Sequence, residues 1–287
     1  MPPTEGKSRK TGKMRETPDC ATISTEKAEM SKRAPAYALE PMERFTEYSE
    51  SANTLLYLSM RAISMTRGVP KMFEVIASVG REAAGWDEQA HKTALEKMKN
   101  DADFAAKECD THFPLLHEFT LVGMWGAFEA AIEDLVVAIL CNEPELLRAD
   151  PFSKIRIPLA DFETLEREDR MRILLRELQR SFRSDQRQGV KAFESILGTV
   201  ALSGEVKPAD REGIWEMNHA RNVIVHRGSC ADRTFVAACP KLGLKIGDRI
   251  QITDHLLGRY VGSLGRYAVE IIYRIGTRYG VDMGARP

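Results

Sequence analysis

The sequence has few cysteines, and nothing in their spacing pairs them. The five are scattered along the chain, at Cys20, Cys109, Cys141, Cys230 and Cys239, and no Cys-x-x-Cys occurs. An odd, widely spaced set is typical of reduced thiols in a cytosol, and it argues against both a disulfide framework and a zinc-finger site. We therefore expect a cytoplasmic protein that needs no metal and no cofactor.

Long apolar runs are also missing. The longest purely apolar run covers residues 135–141, whereas a membrane-spanning helix needs about 20 apolar residues. The N-terminus has no apolar region of the kind found in secretory signals. The formal net charge is only -1, so no overall field points to nucleic acid or membrane, although basic residues are in modest excess in the second half. We expect no membrane partner and place any anion-binding site in the second half.

The first 38 residues contain almost no large apolar side chains and many Lys, Thr, Ser, Pro and Glu residues. Such a segment buries too little surface to offset its ordering entropy, so a disordered tail is predicted at 1–38. Helical spacing of apolar residues follows at about 41–65, 71–111, 115–141, 162–183, 189–202, 208–228 and 254–278. The chain is predicted to be all-α, an antiparallel helical bundle, with a helical region at 39–112 and a helical domain at 113–280.

The most apolar helix is predicted at 115–141. Its large side chains advance by threes and fours, as expected for the central helix of a bundle: Leu121, Met124, Trp125, Phe128, Ile132, Leu135, Val136 and Ile139. Glu129 and Glu133 flank this stripe one turn apart. Paired carboxylates can do acid-base chemistry, but we favour the interpretation that they meet arginines of a neighbouring helix.

Basic residues elsewhere allow two interpretations. The helix predicted at 162–183 is dense in both charges, which favours a solvated face over a phosphate-contacting edge. Gly-Arg-Tyr occurs at 258–260 and again at 265–267, seven residues apart and therefore on one side of the last helix. Arg259 and Arg266 are thus candidates for RNA contact, with Tyr260 and Tyr267 stacking on bases or simply packing in the core.

The stretch from Trp215 to Gly228 gathers three chemically versatile side chains: Arg221, Asn222 and His226. Pro208 suits a first helical turn, and Gly228 suits the left-handed position that follows a last one. One side of this helix is predicted to be buried through Ile214, Met217, Ala220, Ile224 and Val225.

Spacing excludes several chemistries here. His219 lies about 10 Å from His226 along a straight helix, which is too far for two ligands of one metal ion. The sequence contains no Gly-x-Ser-x-Gly elbow and no Gly-Lys-Ser/Thr phosphate loop.

Arginine and histidine suit RNA cleavage instead. A guanidinium can hold a phosphate by two hydrogen bonds, and an imidazole can exchange a proton near neutral pH. The RNA 2′-hydroxyl would attack the adjacent phosphorus and leave a cyclic phosphate. On an ideal helix, however, Arg221 and His226 point about 140° apart. They converge only if the helix loosens before Gly228, if the Arg221 side chain bends round, or if a two-fold partner completes the site.

The segment Arg221-Asn222-Val-Ile-Val-His226-Arg227-Gly228 resembles the Arg-x(4–6)-His motif of the HEPN superfamily (higher eukaryotes and prokaryotes nucleotide-binding). Asn222 supplies the polar residue that follows the arginine in that motif. The apolar helix at 115–141 and the sequence 247–253 before the last helix are also similar to that family. The likeness covers about 115–278, and the bacterial RiboL-PSP or MAE_28990-type branch is the most similar in character.

This resemblance implies a homodimer in which two motifs face one cleft. It also implies metal-independent endoribonuclease activity in a toxin–antitoxin or antiviral setting, with RNA as substrate and an antitoxin protein as a further partner. By match to the motif, Arg221 would stabilise the phosphate, His226 would exchange protons, and Asn222 would orient the reacting groups. Beside the motif, Arg227 is a candidate for RNA contact together with Arg259 and Arg266.

Three hypotheses remain open at this point. The protein is an RNA-cleaving enzyme, or a non-catalytic helical module that binds a nucleotide, RNA or a protein. In the third, Arg221 and His226 belong to a buried hydrogen-bond network that holds helices together. Exposure of His226 separates the third hypothesis from the other two.

Overall fold

A computed structural model describes residues 34–80, 86–157, 162, 164–182 and 188–283. These residues form an all-α structure, as predicted, and they contain one isolated backbone bridge but no strand. The helices are α1 Ala36–Thr66, α2 Val69–Gly80, α3 Glu88–Asp110, α4 Pro114–Asn142, α5 Arg167–Ser181, α6 Gly189–Gly198, α7 Pro208–Arg227, α8 Arg233–Ala238 and α9 Asp254–Arg278.

The N-terminal tail is the least tested prediction. Residues 1–33 lie outside the described residues, and the predicted limit at residue 38 is too late because α1 begins at Ala36. Among the described helices, none combines the length and the apolar content that crossing a bilayer requires.

Helix α4 is the centre of the bundle, and its predicted stripe is confirmed. Every member of that stripe, from Leu121 to Ile139, is buried. Helices α1, α5, α6, α7 and α9 all pack against α4. Its aromatic side chains extend the contact, because Phe128 meets Phe45 of α1, Phe193 of α6 and Tyr267 of α9 with ring centroids 5.0–5.7 Å apart.

The first half of α1 belongs to this bundle. Phe45 is buried against α4, and Arg44 forms an ion pair with Asp134 of α4 at 2.9 Å. The second half of α1 also packs against α3, and α3 packs against α2. Leu55 and Leu56 are adjacent, but only Leu56 is buried and Leu55 is exposed.

Several helix ends differ from the prediction. The helix expected at 162–183 is described only as Arg167–Ser181, and the one expected at 189–202 ends at Gly198. A short helix, α8, follows Asp232, whose side chain accepts a hydrogen bond from the Phe235 amide. Six residues are too few to show a helical period, which explains why α8 was not predicted.

The segment between α8 and α9 ties the end of α7 to the bundle. Backbone hydrogen bonds join Ala231 N to Asp248 O and Ile250 N to Ser229 O, each at 2.8 Å. Between residues 249 and 253 the backbone is reduced to a single bridge, between Cys230 and Arg249. Thr253 caps α9 by accepting a hydrogen bond from the Leu256 amide.

Candidate functional site

Helix α7 carries the three predicted catalytic residues on its last two turns. It begins at Pro208 and ends at Arg227, and Gly228 follows in the left-handed conformation with φ 57°, as predicted. Ile214, Met217 and Ala220 are buried. The predicted burial of Val225 is wrong: Val225 is exposed, and Val223 is buried in its place because the inner face of α7 keeps its direction up to the turn at Gly228.

Arg221 is partly exposed and is held from two directions. Its Nη1 donates a hydrogen bond to Asn222 Oδ1 at 3.1 Å, and its Nη2 lies 3.8 Å from Glu129 Oε2 on α4. The Nε atom is buried and has no hydrogen-bond partner among the described residues. The guanidinium therefore keeps unused donor capacity next to a loose, long ion pair.

His226 is exposed on the last turn of α7. Within the described part of the chain it makes no hydrogen bond or ion pair, and neither its burial nor its contacts suggest a role in packing. The structure thus does not place His226 in a buried network, which was the third of the hypotheses drawn from the sequence.

The helix does not loosen between the two groups. The α-helical backbone continues through Arg227, so five residues separate Arg221 from His226 by about 7.5 Å along the axis and about 140° around it. The Arg221 side chain is directed to Asn222 and Glu129. The helix is not loosened and the Arg221 side chain does not bend towards His226. A second copy of the chain is therefore the remaining way to bring the two groups together.

The three arginines predicted to contact RNA differ in their surroundings. Arg227 is exposed, with its Nε 3.8 Å from Asp232 Oδ2. Arg259 forms an ion pair with buried Glu216, and Arg266 forms one with buried Asp210. Both acids lie on α7, so the arginines of α9 hold that helix in place. RNA contact remains a prediction, and Arg227 is the one of the three that pairs with no buried acid.

The tyrosines of the repeated Gly-Arg-Tyr are core residues. Tyr260 and Tyr267 are both buried. Tyr260 donates a hydrogen bond to Glu216, and Tyr267 donates one to Glu194 at 2.6 Å. Burial raises the pKa of both phenols well above its usual range. The packing interpretation is thus correct, and stacking on bases is excluded by burial.

The paired glutamates of α4 behave largely as expected. Glu129 meets Arg221, while Glu133 accepts a hydrogen bond from Gln179 of α5 at 3.0 Å. Both line a cleft of about 600 Å³ between α4, α5 and α6. Burial raises the pKa of Glu129, and the Trp125 indole and the Arg221 guanidinium oppose that rise.

His219 has a packing role that separates it from His226. It is buried, and its ring meets Trp215 edge to face with centroids 4.5 Å apart. Burial lowers the pKa of this imidazole below its ordinary value of 6.5. No group of three side chains able to hold a metal ion occurs among the described residues.

Comparison of the chain with protein-family models, with characterised proteins and with solved structures finds no match. The side chains at the end of α7 are therefore the basis on which a function can be proposed.

Proposed function

We propose that this protein is a metal-independent endoribonuclease that cleaves RNA by transesterification at a site built from the end of α7. One observation supports this most strongly. His226 is exposed and unpaired about one and a half turns beyond a partly exposed Arg221, which Asn222 and Glu129 orient. Such groups cost the fold little to keep free and match the needs of phosphate chemistry.

In the proposed reaction the 2′-hydroxyl oxygen attacks the adjacent phosphorus. The 2′-oxygen–phosphorus bond forms as the bond from phosphorus to the 5′-oxygen breaks, which yields a 2′,3′-cyclic phosphate and a 5′-hydroxyl. The His226 imidazole takes the 2′-hydroxyl proton and, once protonated, gives that proton to the departing 5′-oxygen. Arg221 stabilises the extra negative charge on the phosphoryl oxygens.

Two copies of the chain meet these requirements better than one. Within a single α7 helix the guanidinium and the imidazole point about 140° apart. A two-fold arrangement of two α7 ends would set Arg221 of one protomer opposite His226 of the other. The proposal therefore includes a homodimer around the scissile phosphate.

The biological setting follows from the resemblance of the motif to the HEPN superfamily. That resemblance supports a role in a bacterial toxin–antitoxin or antiviral defence system, in which an antitoxin protein would cover the end of α7. Arg227 would provide the RNA contact nearest to the site.

The test is cleavage of labelled RNA in the presence of a chelator. Wild type is expected to produce fragments with 2′,3′-cyclic phosphate ends, and His226→Ala is expected to reduce the rate by about 100-fold or more. His255→Ala removes another exposed histidine, at the start of α9, and serves as the matched control. Equal cleavage by wild type and His226→Ala would overturn the proposal.

A non-catalytic RNA-binding module is the alternative. The pairing of Arg221 with Glu129 and its separation from His226 on an unbroken helix favour this alternative. Under it, wild type and His226→Ala bind RNA equally and neither cleaves it.

A further inference from the structure

The outer face of α1 and α2 carries an apolar seam that the described residues of the chain leave uncovered. Its members are spaced alternately by three and four residues: Leu55, Leu58, Ala62, Met65, Val69, Met72, Ile76 and Val79. All are exposed except Val69, which is half-buried. The largest exposed fractions are 74% for Met65, 68% for Ile76 and 81% for Val79.

The inner face of the same two helices is buried within the chain. Leu56 of α1 and Pro70 and Ala77 of α2 are buried. Lys71, Glu74 and Ser78 form a narrow polar strip on α2, and most of the remaining circumference is apolar. A helix that is apolar nearly all round is normally covered on more than one side, so this seam needs a partner that the described part of the chain does not provide.

The heptad spacing of the sequence continues across the junction between α1 and α2, where Met65 and Met72 are seven residues apart. Arg67 has right-handed helical backbone angles, and Met72 N donates to Gly68 O at 3.2 Å. Pro70 interrupts the regular hydrogen bonding because it lacks an amide hydrogen. The seven-residue spacing is that of a coiled coil.

We propose that a second copy of this chain covers the seam, and that the two seams pack as a two-stranded coiled coil. Alternating three- and four-residue spacing is what knobs-into-holes packing between helices requires. With its apolar flank Val75, the seam leaves eight apolar side chains exposed in each chain. A stable dimer buries about 800 Å² per partner, and a continuous seam of this length can contribute such an area.

The charges at the edges of the seam favour a second copy over other partners. Positions beside it are nearly all uncharged, and Arg61 is the one ionic group among them: Thr54, Ser59, Arg61, Thr66, Gly68, Phe73, Val75 and Gly80. Two such edges meet without like-charge repulsion. They also lack the basic cluster that an anionic membrane or a nucleic acid selects.

The inference does not depend on the proposed function, because the seam lies on α1 and α2 and the candidate site on α7. A dimer forms here with or without contact between two α7 ends, and where both contacts form they join different pairs of chains, so that loss of the seam halves the mass in either case. Mass measurements on seam variants test this inference, whereas RNA cleavage tests the other proposal.

The test measures the mass in solution of the full chain by sedimentation velocity. Leu58→Glu with Ile76→Glu places carboxylates on the seam and is expected to halve the mass of the wild-type particle, with unchanged helix content by circular dichroism. Tyr57→Glu with Lys71→Glu changes exposed residues of the same helices away from the seam and is expected to keep the wild-type mass.

Complementary charges test direct contact. On its own, the variant with Leu58→Lys and Ile76→Lys is expected to have half the wild-type mass. When it is mixed with the glutamate variant, the wild-type mass is expected to return. Equal mass for wild type and the glutamate variant would overturn the inference, and so would a wild type at the monomer mass of 32.2 kDa. Seam-dependent flotation of a monomeric wild type with phosphatidylcholine–phosphatidylglycerol vesicles would identify a lipid surface as the occupant instead.

Discussion

Both ends of α7 carry polar side chains, but the surroundings of those side chains differ between the two ends. Towards its start, Asp210 and Glu216 are buried and each meets an arginine of α9. Towards its end, Arg221 makes one long ion pair and His226 makes none. The first set explains how α7 is fixed in the bundle. The second set is not explained by packing, which is why it is the better candidate for chemistry.

The largest effect on stability is expected towards the start of α7, where buried acids pair with arginines of α9. Arg259→Met leaves Glu216 buried with only the Tyr260 hydroxyl as a partner, and we expect a loss of about 3 kcal/mol of unfolding free energy. Arg221→Met at the other end should cost less than about 1 kcal/mol, since its ion pair is long and partly exposed. Urea unfolding of both variants measures the difference, and equal losses would remove the distinction between the two ends.

A close contact between α7 and α9 gives the next largest effect. A methyl group on Gly213 would lie 2.9 Å from Ser263 Cβ, a buried residue of α9. Gly213→Ala should therefore cost about 2 kcal/mol through overpacking. Gly258→Ala meets nothing within 4 Å and should stabilise α9 by roughly 0.5 to 1 kcal/mol. Thermal unfolding shows whether each substitution raises or lowers the stability. A stabilising Gly213→Ala would show that α7 and α9 do not approach so closely.

The smallest expected effect is on the pH dependence of stability. Because burial lowers the pKa of His219 below 6.5, the unfolded chain binds a proton near pH 6.5 that the folded chain does not. Stability present above that pH is lost as the pH falls through it. His219→Phe keeps an aromatic ring against Trp215 and should flatten this part of the curve of unfolding free energy against pH. An unchanged slope would mean that His219 is not the group responsible.

The sequence predicted those features that depend on local pattern. The buried stripe of α4 was predicted from the periodic spacing of apolar residues, and the end of α7 from the conformational preference of Gly228. The structure confirms both. The ion pairs of α7 were not predicted, since they depend on which helix packs against it. A signal was present, because Asp210 and Glu216 are six residues apart and face Arg266 and Arg259, which are seven apart on α9.

The apolar seam shows a different limit of sequence reasoning. Leu55 and Leu56 are adjacent, so both fit a broad apolar side when only the sequence is considered. The structure separates them, with Leu56 towards the neighbouring helices and Leu55 towards solvent. When a helix has two apolar faces, the sequence does not show which face packs against the rest of the chain. That assignment needs the position of at least one neighbouring helix.

Mixing two inactive variants tests most directly whether the ends of α7 form one site from two chains. Arg221→Ala and His226→Ala are each expected to lose cleavage of labelled RNA in chelator. A refolded mixture of the two should regain a measurable part of the wild-type rate, since a mixed pair contains one intact Arg221 opposite one intact His226. A mixture that exchanges subunits and stays as inactive as its components would contradict the account.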